Sequence, residues 1–310
     1  MSQNLPRALS RRCLLSGGVA AFGAALLLPH TSLAATTVVS SGSLTYADGA
    51  ILAASKRTLW RVDAAGKIEH RPLDRSITAF ASHPETPGTL FAAVAPSGLL
   101  RSRDGGRTWA DISAGLQATR ITALAQAALE PDMLYAALEG DGLWRSKDAG
   151  ISWEFVMDRP YLDGTERDVL TLVAVGNPTG MGGIWLYAGT EAGLTRVPDC
   201  FCRWQDVTAG DAMDALVAGK TPPPTKPLPE REQVNHLALS PEEPERIYAV
   251  LKSGIWTSTD AGVNWTMTAS GTFDALAVNP ENPRHLAALR NETLSVSRDG
   301  GMTFDPLNLS

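Results

Sequence analysis

Apolar positions along this chain fall in short alternating runs, with polar and turn-forming residues between them. Ile121-Thr-Ala-Leu-Ala125 is followed by Met133-Leu-Tyr-Ala-Ala-Leu138, then Gly142-Leu-Trp-Arg-Ser146, then Ser152-Trp-Glu-Phe-Val156. Period-two alternation and runs this short predict four β-strands joined by tight turns. The same order recurs over residues 77–112, 234–267 and 273–307. Two weaker copies cover residues 44–70 and 169–207. His83-Pro-Glu-Thr-Pro87, Ser240-Pro-Glu-Glu-Pro244 and Asn279-Pro-Glu-Asn-Pro283 each precede a second strand, as turn chemistry would.

A sharper pattern sits inside four of the units. It reads Ser102-Arg-Asp104-Gly-Gly106-Arg-Thr-Trp109, Ser146-Lys-Asp148-Ala-Gly150-Ile-Ser-Trp153, Ser258-Thr-Asp260-Ala-Gly262-Val-Asn-Trp265 and Ser297-Arg-Asp299-Gly-Gly301-Met-Thr-Phe304. The Asp side chain is expected to accept N–H bonds from two residues on and close the turn. Glycine allows a positive φ. The aromatic then carries a large apolar surface between sheets. This pattern resembles the Asp-box, or BNR repeat, of sialidases, family 74 xyloglucanases, sortilin-type receptors and photosystem II stability/assembly factors. The resemblance implies a β-propeller with the box on the turn between the two outer strands of a blade, away from the central channel.

Six units give roughly 46 residues per blade, a usual size for four-stranded blades. The reading is therefore all-β: a six-bladed β-propeller of four-stranded antiparallel blades over residues 36–310. Residues 36–40 are expected to complete the last blade and close the ring. Two insertions interrupt the repeat, at about 158–168 and 208–233. The second contains Thr221-Pro-Pro-Pro-Thr-Lys-Pro-Leu-Pro229, an extended, polyproline-like stretch. Loops held on a rigid frame are where binding residues gather, so Asp163, Glu166, Arg167 and Asp168 are candidate binding-loop residues.

At the other end of the chain, Ser10-Arg11-Arg12 precedes an apolar stretch over residues 17–28 and then Ser32-Leu33-Ala34-Ala35. This resembles a twin-arginine export signal, ending near residue 35 and implying a periplasmic location. Its loss removes three arginines and no acid, so the formal charge becomes 24 − 33 = −9. A chain this acidic does not suit nucleic acid. No long apolar run follows, so no transmembrane segment is expected in the mature chain, and a monomer is expected.

Departures from the repeat are the candidates for chemistry. In the fourth unit the turn becomes Asp199-Cys200-Phe-Cys202-Arg-Trp204. Asp199 and Trp204 keep the box register, while Phe201 replaces its glycine. Cys200 and Cys202 could form a disulfide that stiffens this turn, act in redox chemistry, or bind a soft metal such as Cu(I). His83 shares a repeat slot with Ser240 and Asn279, which reads as a turn residue. Hydrolase chemistry would need paired carboxylates, with Asp163, Glu166, Asp168, Glu139, Asp141 and Glu191 as candidates. No catalytic phrase of the sialidases accompanies the boxes, and no cofactor is implied.

Three functions follow as expectations. The first is a non-catalytic exported scaffold that binds a partner protein and assists a periplasmic or membrane redox complex, as resemblance to the assembly factors implies. The alternatives are a sialidase-like or glycoside-hydrolase propeller, and copper handling through Cys200 and Cys202.

Overall fold

The computed structural model describes residues 42–177, 179, 183–209, 212–221 and 224–307. The export signal over residues 1–35 and the closing strand expected over 36–40 lie outside the described residues. Nearly all regular structure is β. The exception is one helical segment, Ala212–Val217, and no described helix is long and apolar enough to cross a membrane.

Six antiparallel sheets follow one another along the chain, each built from consecutive strands. Their first strands are Gly42–Ala47, Ile77–Ser82, Ile121–Gln126, Thr171–Val175, Val234–Leu239 and Ala275–Asn279. These six pack side by side in a closed ring, the first against the last. They line the channel of a six-bladed propeller. Blade four reduces its outer strand to a single bridge, Arg196 to Gln205. Blade six already has four strands of its own, ending in Asp305–Leu307. Among the described residues, blades one and six meet through side-chain packing. Leu44, Ile51 and Ala53 of blade one meet Ala275, Ala287 and Leu289 of blade six.

Each second strand is buried on both faces, which explains its unbroken apolar run. In Leu90-Phe-Ala-Ala-Val94, Leu90, Ala92 and Val94 enter the seam with blade one, while Phe91 and Ala93 enter the seam with blade three. Burial of each large side chain here stabilises by about 1.5–3 kcal/mol. The buried tyrosines of two second strands reach across a seam for a hydrogen-bond partner. Tyr187 donates to the Ala261 carbonyl at 2.8 Å and Tyr248 to the Pro283 carbonyl at 2.9 Å.

Strand direction separates two faces. The proline-rich turns and the boxes share one, joined by backbone bonds such as Gly105 N–H to the Gly88 carbonyl and Ala149 N–H to the Asp132 carbonyl. Connections from each outer strand to the next inner strand start from the other face.

Candidate functional site

The four boxes repeat one set of serine and aspartate hydrogen bonds, and the three that end in tryptophan add an indole bond. Ser102 Oγ donates to Asp104 Oδ1 at 2.8 Å and accepts from Gly106 N–H at 2.9 Å. Asp104 accepts the Thr108 amide at 2.8 Å and the Thr108 hydroxyl at 2.6 Å. The Trp109 indole donates to the Gly106 carbonyl at 3.1 Å. Asp148 holds Ser152 in the same way, Asp260 holds Asn264, and Asp299 holds Thr303. The carboxylate thus reaches three and four residues on, a correction to the two-residue turn expected from sequence. In the boxless turn of blade one Asp63 Oδ1 accepts both reaches, from Ala65 N–H at 2.9 Å and from Lys67 N–H at 2.8 Å.

Two adjacent residues per box adopt positive φ, one more than the motif's glycine predicts: Ala149 at 56° and Gly150 at 86°, Ala261 at 55° and Gly262 at 85°. The second glycine is also required for space. A Cβ on Gly106 would stand 2.4 Å from Leu52 of the preceding blade. Hydrogen bonds from the Thr108 hydroxyl and amide pull the Asp104 carboxyl down to about 2, and Ser152 does the same to Asp148. Thr303 lowers Asp299. Burial pushes Asp260 upward, and bonds from Asn264 still leave it lowered. Each carboxylate is occupied in fixing its own turn, which is a scaffold role.

Blade four solves the same turn differently. Val197, fully buried, occupies the position of the box serine. The carboxylate of Asp199 lies where a Cβ on Gly183 would stand. Cys200 and Cys202 form a disulfide, with Cα atoms 5.6 Å apart. Phe201 between them sits at φ 53° and turns into the seam with blade three. Its ring lies 6.0 Å from that of Tyr135, with the Arg145 guanidinium 5.4 Å away. Trp204 donates to the Asp158 carbonyl of blade three at 2.8 Å, where the boxes bond their own glycine. Among the described residues no three His, Cys, Asp or Glu side chains gather closely enough to hold a metal.

The insertion after blade three is a small hairpin, Tyr161–Leu162 paired with Thr165–Glu166. Asp163 and Gly164 form its turn at φ 49° and 78°. Arg159, which sequence reasoning missed, anchors it: the guanidinium meets Glu166 at 2.5 Å and Asp168 at 3.3 Å. Asp168 also accepts the Gly140 amide at 2.9 Å. Arg167 faces Glu191 at 3.9 Å, Glu139 lies 4.0 Å from Arg120, and Asp141 accepts the Trp144 indole at 2.6 Å. These carboxylates thus hold local structure. Tyr161 remains 68% exposed at the base of the hairpin.

The insertion at 208–233 is partly built into the propeller. Lys226 pairs with Asn264 and Trp265 beside the blade-five box, and Leu228 enters the seam of blades four and five. Asp211 lies outside the described residues.

The channel encloses about 410 Å³. Its wall mixes apolar side chains such as Tyr46, Phe80, Leu172 and Leu276 with polar ones, among them Asn235 and the pair Thr45 and Ser82, bonded at 2.9 Å. Burial pushes the His236 imidazole down to about 4, against an opposing hydrogen bond with the Leu237 backbone carbonyl. His83 is a turn residue as its repeat slot implies: Nδ1 accepts the Glu85 amide, as Ser240 accepts Glu242 and Asn279 accepts Glu281.

No protein-family model and no curated sequence matches this chain. Solved structures do match. A GH74 enzyme of Niastella koreensis aligns with TM-score 0.58 at 14% identity, over 85% of this chain and 44% of that one. A chain of the mitotic checkpoint complex aligns with TM-score 0.57 at 12% identity, over 84% and 87%. YCF48 bound to a D1 peptide aligns with TM-score 0.47 at 17% identity, over 85% and 80%. This chain spans less than half the length of the GH74 enzyme. At these identities the shared property is the fold, and this chain is a six-bladed β-propeller.

Proposed function

We propose that this protein is an exported, non-catalytic propeller scaffold that binds a partner protein through the hairpin at residues 161–166. The supporting observation is the anchoring of that hairpin. Arg159 grips Glu166 and Asp168 together, so the loop is ordered before any partner arrives, while Tyr161 stays exposed. A preordered loop loses less entropy on association, and tyrosine is enriched among residues that dominate binding energy. By resemblance to the assembly factors, the partner would be a subunit of a periplasmic or membrane redox complex.

A photo-crosslinking residue at Tyr161 tests this in cells, with one at Ile151 on the box face as control. A discrete crosslinked protein is expected from Tyr161 alone and should vanish with Arg159→Ala. Equal crosslinking from both positions, or none, overturns the reading. Export is tested separately by replacing Arg11 and Arg12 with lysine. Unchanged periplasmic recovery would refute the twin-arginine route.

A further inference from the structure

We propose that the Cys200–Cys202 disulfide is a thiol–disulfide exchange site, and that its reduction by a dithiol releases blade four from its seam with blade three. This rests on blade four alone and stands apart from the binding role given to the hairpin.

Four other blades close the corresponding turn with a buried serine and an aspartate, bonds that no reductant touches. In blade four both are lost: Val197 holds the serine position, and Asp199 has turned to Gly183. The covalent bond takes the place of the side-chain closure, beside the backbone bonds from Phe201 N–H to the Pro198 carbonyl and between Arg196 and Gln205. Both cysteines are exposed, so an attacking thiolate can reach the sulfurs. The residue they enclose is no bystander. Phe201 is held in the left-handed conformation, which a phenylalanine adopts rarely, with its ring lodged against Tyr135 of the neighbouring blade. The next aromatic, Trp204, is tied to blade three through the Asp158 carbonyl. Opening the disulfide therefore loosens a turn whose side chains reach into that seam, while the box turns stay closed.

The exchange is a balanced two-electron step. One thiolate of the dithiol attacks a protein sulfur, forming a mixed disulfide and expelling the second cysteine as a thiolate. The remaining thiol of the dithiol then attacks the mixed disulfide. The dithiol leaves as a disulfide, and Cys200 and Cys202 take up the two protons it gives up. A protein dithiol of the Cys-x-x-Cys type would be the physiological donor class.

Dithiothreitol serves as the probe on the folded, oxidised full chain. Without denaturant, both Cys200 and Cys202 are expected to become alkylatable. Trypsin cleavage after Arg203 is expected to rise about tenfold, because cleavage tracks the population of the open turn. The Cys200→Ser/Cys202→Ser variant should be cut at the reduced rate with or without dithiothreitol. Reduced and alkylated wild type provides the same reading should that variant fail to fold. Two results overturn the proposal: alkylation that requires unfolding, or a reduced protein cut as slowly as the oxidised one.

Discussion

The turns of blades three and four occupy equivalent places and use opposite chemistry. In blade three, Ser146 and Asp148 close the turn with hydrogen bonds, Gly150 leaves room for Ile112 of blade two, and Trp153 bonds back to its own turn. In blade four a disulfide closes the turn, Phe201 fills the place of the glycine, and Trp204 bonds to the preceding blade, blade three. What the fold requires at this position is a filled seam and a closed turn. The box is one way to meet that requirement. Blade one shows the outcome when the aromatic is simply missing: its turn borders a cavity of about 290 Å³ at the seam with blade six.

The largest effect is expected where φ and space act together. Gly106 has φ 82° and its Cβ would collide with Leu52, whereas Gly66 has φ 81° with nothing within 4 Å. Gly106→Ala should cost about 3 kcal/mol through combined strain and overpacking, and Gly66→Ala about 1 kcal/mol through backbone strain alone. Urea unfolding midpoints measure both. Equal losses would mean that conformation alone selects glycine, and that Phe201 is no guide to the seam.

Ser146→Ala comes next. This serine is buried, donates to Asp148 and accepts the Gly150 amide, so its loss leaves a buried N–H without a partner. A cost of about 2 kcal/mol is expected in the same assay. Phe201→Gly should cost only about 1 kcal/mol, since relief of the positive φ offsets part of the lost ring packing. A larger penalty at Phe201 than at Ser146 would reverse the order in which the two closures contribute.

These contrasts also show what was legible beforehand. Period-two runs report burial locally, and Asp-x-Gly spacing reports a turn locally, so six blades and four boxes could be read from residues alone. The Asp163-Gly164 pair was an equally local hairpin signal that went unused. The packing of blade one on blade six was not legible, because it joins Leu44 to Ala275, far apart in sequence. The same holds for Arg159: nothing in its neighbourhood says which acids it will grip. In blade four, the register of Asp199 and Trp204 was visible, but their new partners, beside Gly183 and at Asp158, lie on other segments of chain.

The smallest effects separate the two closures by acid. A carboxyl held at about 2 in the fold, as in Asp104 and Asp148, titrates near 3.8 once unfolded. The unfolded chain then takes the proton first. The stabilisation is complete above pH 3.8 and is lost as pH falls toward 2. His236 acts in a higher window. It titrates at about 4 folded and near 6.5 unfolded, so its contribution is lost between pH 6.5 and 4. His236→Gln should flatten the upper part of the stability profile, and Asp104→Asn with Asp148→Asn the lower part. The disulfide turn has no proton to gain. On going from pH 4 to pH 2, hydrogen-exchange protection should therefore fall at the Thr108 and Ser152 amides, which bond to box carboxylates, and persist at Phe201, whose amide bonds to the Pro198 carbonyl at 2.8 Å. Protection lost in parallel at all three amides would mean that acid opens the propeller as a whole, and that the two closures do not act independently.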